Sequence, residues 1–167
     1  AQDIIYEGKS KKENPLQFQV TYYLDEKETK LEDMIGKSGS VRVKINITNK
    51  DYVYKNSKKL YVPFVVLFAT TLDNNNSDIT ITNGKVINTG TRSSIVSIAS
   101  PGIYESTNIN ELKSMNEIIL EYKTKDFKAS DYYFVASPKV LEETDFQVFD
   151  QINVLNKNMN TIGNSMN

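Results

Sequence analysis

Apolar and polar residues alternate along most of this chain. In the segment 40–49, Val41, Val43, Ile45 and Ile47 fall on one side and Arg42, Lys44, Asn46 and Thr48 on the other. A strand sends successive side chains to opposite faces, so the pattern predicts a half-buried strand with a wet outer face. Phe18, Val20, Tyr22 and Leu24 repeat it, opposite Gln17, Gln19 and Thr21. Between these strands, 29–36 (TKLEDMIG) predicts a short helical turn closed by Gly36. From Lys59 to Leu72 both faces are apolar, with Leu60, Val62, Phe64, Val66 and Phe68 against Val65, Leu67 and Ala69. That predicts one strand covered on both sides in the middle of the fold, with a bulge or edge position at Pro63. Asn83-Gly84 stands between Ile79–Thr82 and Lys85–Ile87 and predicts a hairpin on a type I′ turn. Further strands are predicted at 94–99, 117–124 and 131–137, interrupted by Pro101-Gly102 and by 125–130. Asn108 with Glu111 predicts a capped helical turn reaching Met115. Roughly eight strands separated by turns, without a βαβ rhythm or an internal repeat, predict an all-β fold. The specific expectation is an immunoglobulin-like antiparallel β-sandwich.

From Thr144 the period changes. Val148, Ile152, Leu155, Met159, Ile162 and Met166 are spaced 4, 3, 4, 3 and 4 residues apart, with Asn, Gln and Lys filling most positions between. That is an a/d seam, which predicts a C-terminal helix opening a coiled coil and associating with a second helix. Thr144 or Asp145 would cap its start. The plainer reading is an amphipathic helix folded back onto the sandwich, and Gly163 weakens a free-standing helix. The expected organisation is a lead-in or edge strand over 1–15, a β-sandwich over 16–140 and the helix over 141–167.

Composition narrows the chemistry. Twenty basic and 21 acidic residues leave a formal net charge of −1, so no global field draws the chain to nucleic acid or anionic lipid. The basic run Lys9–Lys12 reads as a solvated tail. Cysteine, histidine and tryptophan are absent. Without Cys or His the usual zinc sites, disulfides and Ser-His-Asp or Cys-His nucleophiles cannot be assembled. The longest apolar run, Val62 to Leu72, contains Pro63 and is about half the ~20 residues a membrane-spanning helix needs. The lack of a leader segment reads as a mature or excised piece, any membrane contact being made through segments outside it. The Lys/Asn/Ile-rich composition suits an AT-rich Gram-positive bacterium, in which exported proteins often avoid cysteine.

Few residues invite a site. Asp73, Asn75 and Ser77 match the first ligand spacings of a calcium loop, but Asp78 and Gly84 stand where glycine and glutamate are required. The segment therefore reads as a solvated loop, and no metal or cofactor is expected. Asn46-Ile-Thr48 and Asn75-Asn-Ser77 read as chance sequons in a bacterial chain. Glu142 and Glu143 could do acid–base work in principle, but a linker normally carries such residues in water. Of ten tyrosines, Tyr22, Tyr122 and one of Tyr132 and Tyr133 fall on apolar faces and read as core. Tyr52, Tyr54, Tyr61 and Tyr104 lie in or beside predicted loops. Aromatic side chains at a sandwich end suit recognition of protein or glycan, against the alternative of a partly buried rim.

Several stretches together resemble a known family. Thr21-Tyr-Tyr-Leu-Asp25 leads into Met34-Ile-Gly-Lys-Ser-Gly39 and the strand VRVKINITN. Tyr61-Val-Pro-Phe64, Ile81-Thr-Asn-Gly-Lys-Val86 and Ser100-Pro-Gly-Ile-Tyr-Glu105 follow in order. This succession resembles the extracellular region of the Pip/YhgE phage infection protein family and related Leu-x-x-Gly heptad-repeat surface proteins. The resemblance covers the chain from Leu16 to the start of the terminal helix. It implies an extracellular region between membrane-spanning segments, leading into heptad-repeat helices where the seam at Val148 begins. It also implies a role of the phage-receptor or secretion-associated kind, with no catalytic motif to carry over. The chain has no membrane segment of its own, so transport and secretion are not read from it. The resulting expectation is a non-catalytic recognition or scaffold domain on the extracellular face of the cell envelope. Its partner would be a protein or a phage tail component, and nucleic acid is not expected. A carboxylate-dependent glycan-active enzyme and a passive spacer are the alternatives; two facing carboxylates in a deep cleft would mark the first, and a surface bare of aromatics the second.

Overall fold

A computed structural model of the chain describes residues 13–138. The predicted C-terminal seam, Glu142, Glu143, the Lys9–Lys12 run and most of the lead-in lie outside the described residues. Those described form a mostly antiparallel β structure, 56% strand and 13% helix. In chain order the elements are β1 (Leu16–Leu24), β2 (Lys27–Glu28), α1 (Leu31–Met34), β3 (Gly39–Asn49), β4 (Tyr52–Lys55), β5 (Lys58–Tyr61) and β6 (Val65–Asp73). There follow β7 (Asn76–Ile81), β8 (Gly84–Asn88), β9 (Arg92–Ala99), α2 (Ile103–Thr107), a 3₁₀ helix (Asn110–Asn116), β10 (Glu117–Thr124) and β11 (Tyr133–Ser137).

Two large sheets carry the fold. The first has the order β2-β1-β3-β10-β7 and the second β11-β6-β9-β8, while β4 and β5 form a separate two-stranded sheet. The alternation along β3 sets its register: Val43 faces Tyr22 on β1 and Leu120 on β10, and Ile45 faces Val20 and Ile118. One continuous core draws on both large sheets, with Val43, Ile45, Ile118 and Leu120 from the first and Val66, Phe68, Ile95 and Ala99 from the second. Phe64, predicted inward with Val41, Val43, Ile45, Ile47, Val66 and Phe68, is buried with them. Aromatic rings pack where β1 meets the second sheet: the Phe134 ring of β11 lies 4.6 Å from that of Phe18 on β1, and the Phe68 ring of β6 lies 5.7 Å from that of Tyr132. The core tyrosine of the 132/133 pair is therefore Tyr132, while Tyr133 is exposed. Met34 of α1 is fully buried in the same core, and Gly36 follows with a φ of 76°, as a helix-closing glycine requires.

The structure corrects four expectations. Asn83-Gly84 does not close a hairpin. β7 hydrogen-bonds to β10 in one sheet and β8 to β9 in the other, so the dipeptide carries the chain across between sheets. Asn83 has a positive φ of 50°, but Gly84 is an ordinary strand residue. It is glycine for another reason: a Cβ there would stand 2.0 Å from the carbonyl oxygen of Val96. The predicted strand over 59–72 is two strands, β5 and β6, separated at Pro63, which has no N–H for a ladder. Only the second part is central, between β11 and β9. The helical turn expected to reach Met115 is present as the 3₁₀ helix, but its N-cap is Ile109. Asn108 instead closes the unforeseen α2 with a φ of 58°, donating its N–H to the Tyr104 carbonyl. Val20, expected inward, is 37% exposed near the sheet edge.

Candidate functional site

The site is built where β3 ends. Asn49, 6% exposed, sends its amide Nδ2 to the carbonyls of Val62 (2.8 Å) and Pro101 (3.1 Å), and its Oδ1 accepts the Asp51 N–H (2.9 Å). One side chain thus ties the end of β3 to both flanks of the β4–β5 hairpin and to the turn before α2. The Val62 N–H also donates to the Asp51 carbonyl at 2.9 Å, closing the hairpin's base. Its tip is Asn56-Ser57, with φ values of 50° and 61°. Two successive positive φ values are what a type I′ turn demands, so the turn assigned by sequence to Asn83-Gly84 has its counterpart here.

Period-two alternation then puts Tyr52, Tyr54, Lys59 and Tyr61 on one face of the hairpin. Tyr52 pairs with Tyr61 and Tyr54 with Lys59 across the strands. The rings of Tyr52 and Tyr54 meet edge to face at 5.6 Å, and those of Tyr52 and Tyr61 lie 5.7 Å apart. The Lys59 ammonium sits 3.6 Å above the Tyr52 ring centre and 4.9 Å from that of Tyr61. A hydrogen bond with Tyr61 is the main cause that holds the Lys59 ammonium above its ordinary range. Tyr54 is 70% and Val53 58% exposed, so the stack stands in water rather than under the sheets. Tyr61 is fixed from behind. Its N–H donates to the Ser106 Oγ at 2.9 Å, and Gly102 lies so close that a Cβ there would come within 2.7 Å of the Tyr61 side chain.

Of the four tyrosines singled out by sequence, three therefore share one hairpin face, on strands rather than in loops. Tyr104 is half-buried on α2, the helix that packs beside β5. Sequence reasoning missed Asn49, Gly102, Ser106 and Lys59. Asn49 and Gly102 act on groups remote in the chain, and no local pattern marks such contacts.

Beside Tyr61, on the solvent face of the five-stranded sheet, lies a groove of about 320 Å³ lined by Gln19, Asn46, Thr48, Glu105 and Asn116 among others. Asn116 is oriented by its neighbours: Oδ1 accepts the Gly102 N–H at 3.0 Å and Nδ2 donates to Glu105 Oε1 at 2.5 Å. Farther along the same face a second hollow, near 290 Å³, is lined by charges of both signs, Glu26, Asp78 and Glu121 with Arg42 and Lys123. There Arg42 pairs with Glu121 at 2.5 Å and Lys123 with Asp78 at 2.9 Å. The Asp73 carboxylate accepts the Asn75 N–H (3.0 Å) and the Asn76 amide (2.8 Å), so the segment singled out for calcium spacing builds a turn. Among the described residues no cluster of three or more Asp and Glu side chains could hold a metal ion. No helix among them is long and apolar enough to cross a membrane. No family model, curated protein or solved structure matches the chain.

Proposed function

We propose that this chain is a non-catalytic recognition domain from the extracellular part of a membrane-anchored bacterial surface protein, of the kind the Pip/YhgE resemblance implies. In this reading the two sheets form an immunoglobulin-like sandwich, and the β4–β5 hairpin is its contact surface. The observation that carries it is the stack of Tyr52, Tyr54 and Tyr61 on a hairpin that belongs to neither large sheet. Rigid aromatic rings give large contact area at small entropic cost, which is why they dominate recognition surfaces. A passive spacer would have no use for such rings in water. The hairpin from Lys50 to Tyr61 also carries Lys50, Lys55, Lys58 and Lys59 against the single acid Asp51, which favours a protein partner with an acidic surface.

The test is binding of the labelled domain to phage particles and to isolated bacterial envelopes. The Tyr52→Ser/Tyr54→Ser double variant should lose at least tenfold in affinity, about 1.4 kcal/mol, at an unchanged melting temperature. Equal binding by the double variant would remove the hairpin from the reading. The C-terminal residues Val148, Ile152, Leu155, Met159, Ile162 and Met166 would serve as a self-associating seam that begins a stalk. Sedimentation tests this separately. The 167-residue piece should be close to monomeric, since fewer than about four heptads barely offset the entropy of association; the intact protein should be elongated or oligomeric.

A further inference from the structure

The groove beside Tyr61 differs from the rest of its sheet in having hydrogen-bonding capacity that the protein leaves unused. On the outer face of β3 and β10 the charges are taken up in pairs, Arg42 with Glu121 and Lys44 with Glu117 at 3.1 Å. Past Lys44 the character changes. Asn46 stands directly across from Gln19 on β1, and Thr48 follows two residues on. Among the described residues none of these three side chains has a hydrogen-bond partner. An amide side chain offers both a carbonyl acceptor and two N–H donors, and a hydroxyl offers both functions at once. The floor is therefore neutral and able to donate and accept along its length. Its wall adds Tyr61 and Glu105, whose carboxylate accepts a hydrogen bond from the Asn116 amide.

We propose that this groove binds a neutral saccharide chain. Sugars present adjacent hydroxyl groups, each a donor and an acceptor, which amide pairs such as Gln19 and Asn46 match in both senses. One face of a pyranose ring is lined with C–H groups, which pack on the electron-rich face of an aromatic ring such as Tyr61. Other ligand classes fit less well. A phosphate or carboxylate would need a cation in the groove, whose lining carries the Glu105 carboxylate and no Lys or Arg. A lipid or an apolar anchor residue would need an apolar hole, whereas amide, hydroxyl and carboxylate groups dominate this lining. The volume, about 320 Å³, lies at the small end of ligand sites and suits a short stretch of a longer chain. The assignment rests on reading this end of the molecule as a recognition surface, and it names one ligand class for it.

The experiment is titration of the isotopically labelled full chain with three neutral hexasaccharides (chitohexaose, cellohexaose and maltohexaose), observed by NMR. At least one should shift the side-chain amide signals of Gln19, Asn46 and Asn116. Asn46→Ala and Gln19→Ala, both on the solvent face, should each weaken that binding about tenfold, while Tyr133→Ser, at an exposed position of the other sheet, leaves it within twofold. Shifts confined to the Tyr52 and Tyr54 rings, lost in Tyr54→Ser and kept in Asn46→Ala, would overturn the groove and leave the hairpin reading standing. Silence of the groove amides toward all three sugars would also overturn it, and the hairpin would then be judged on its own binding assay.

Discussion

Asn49 shows how much one side chain can decide at the residue scale. Replacing it with alanine leaves the Val62 and Pro101 carbonyls without their donor in a place water barely reaches. An unsatisfied buried polar group costs ~1–3 kcal/mol, so Asn49→Ala should lose about 2 kcal/mol in urea unfolding. Asn49→Asp should lose more, because a carboxylate brings lone pairs against two carbonyl oxygens and donates nothing. If Asn49→Asp were as stable as the native chain, the hairpin's base must be held some other way. Ser57 sits at a φ of 61°, where an L-residue with a Cβ is strained by ~1–2 kcal/mol. Ser57→Gly should therefore stabilise the chain by about 1 kcal/mol, with slower hydrogen exchange in the hairpin amides. A loss of protection there would show that Ser57 is not in the left-handed conformation.

At the scale of elements, Gly84 separates two explanations that sequence alone confuses. In a type I′ turn the glycine matters for its φ, and Gly84→Ala would be resisted by the backbone alone. Here φ is ordinary, and the obstacle is the β9 backbone 2.0 Å from a new Cβ. Forcing atoms into a packed site costs ~1–3 kcal/mol, so Gly84→Ala should already carry most of the damage of Gly84→Val. The same variants should weaken exchange protection along β8 and β9 and spare β7, which lies in the other sheet; equal loss in β7 and β8 would restore the hairpin. This contrast also explains what was legible. β3 and β10 were readable because the period-two pattern is imposed by one buried face, and β10 spans the residues expected of it, 117–124. β4 was not, because all four of its residues are exposed and its turn lacks glycine. The sheet-crossing at Asn83 was invisible because a dipeptide preference describes local φ and is blind to the strand that passes beside it. The tyrosines were recognisable as candidates from composition and position. Their gathering on one face needed the register of a hairpin that the sequence did not announce.

For the molecule as a whole, the core predicts its own response to alkali. Burial raises the ionisation of both the Tyr122 and Tyr132 hydroxyls well above the ordinary tyrosine range, and a hydrogen bond with Tyr22 adds to it at Tyr132. The unfolded chain releases these protons near pH ~10, while the folded chain keeps them. Unfolding above that pH is thus drawn forward by proton release, so the contribution is fully present below about pH 10 and lost as the pH rises past it. The melting temperature should stay level up to about pH 9 with respect to these groups and fall above about pH 10. Tyr132→Phe should make the fall shallower. Complete tyrosine ionisation near pH ~10 with the fold intact would contradict the burial of both hydroxyls.

The place of β10 in its sheet has a consequence in time. It lies between β3 and β7, both of which precede it in the chain by a wide margin. Until Glu117–Thr124 has been synthesised, one edge of β3 has no neighbour and β7 has no sheet to join. The first sheet can make only the β1–β2 and β1–β3 ladders while it waits. Closure is then a single late event that must bring distant segments together before any of their contacts repay the lost chain entropy, so folding should fall in the slow, millisecond-to-second range of non-local β topologies. During that wait the open edges of β3 and β7 are free to pair with other copies. A chain cut short before Thr124 should accumulate as aggregate rather than as a smaller folded domain.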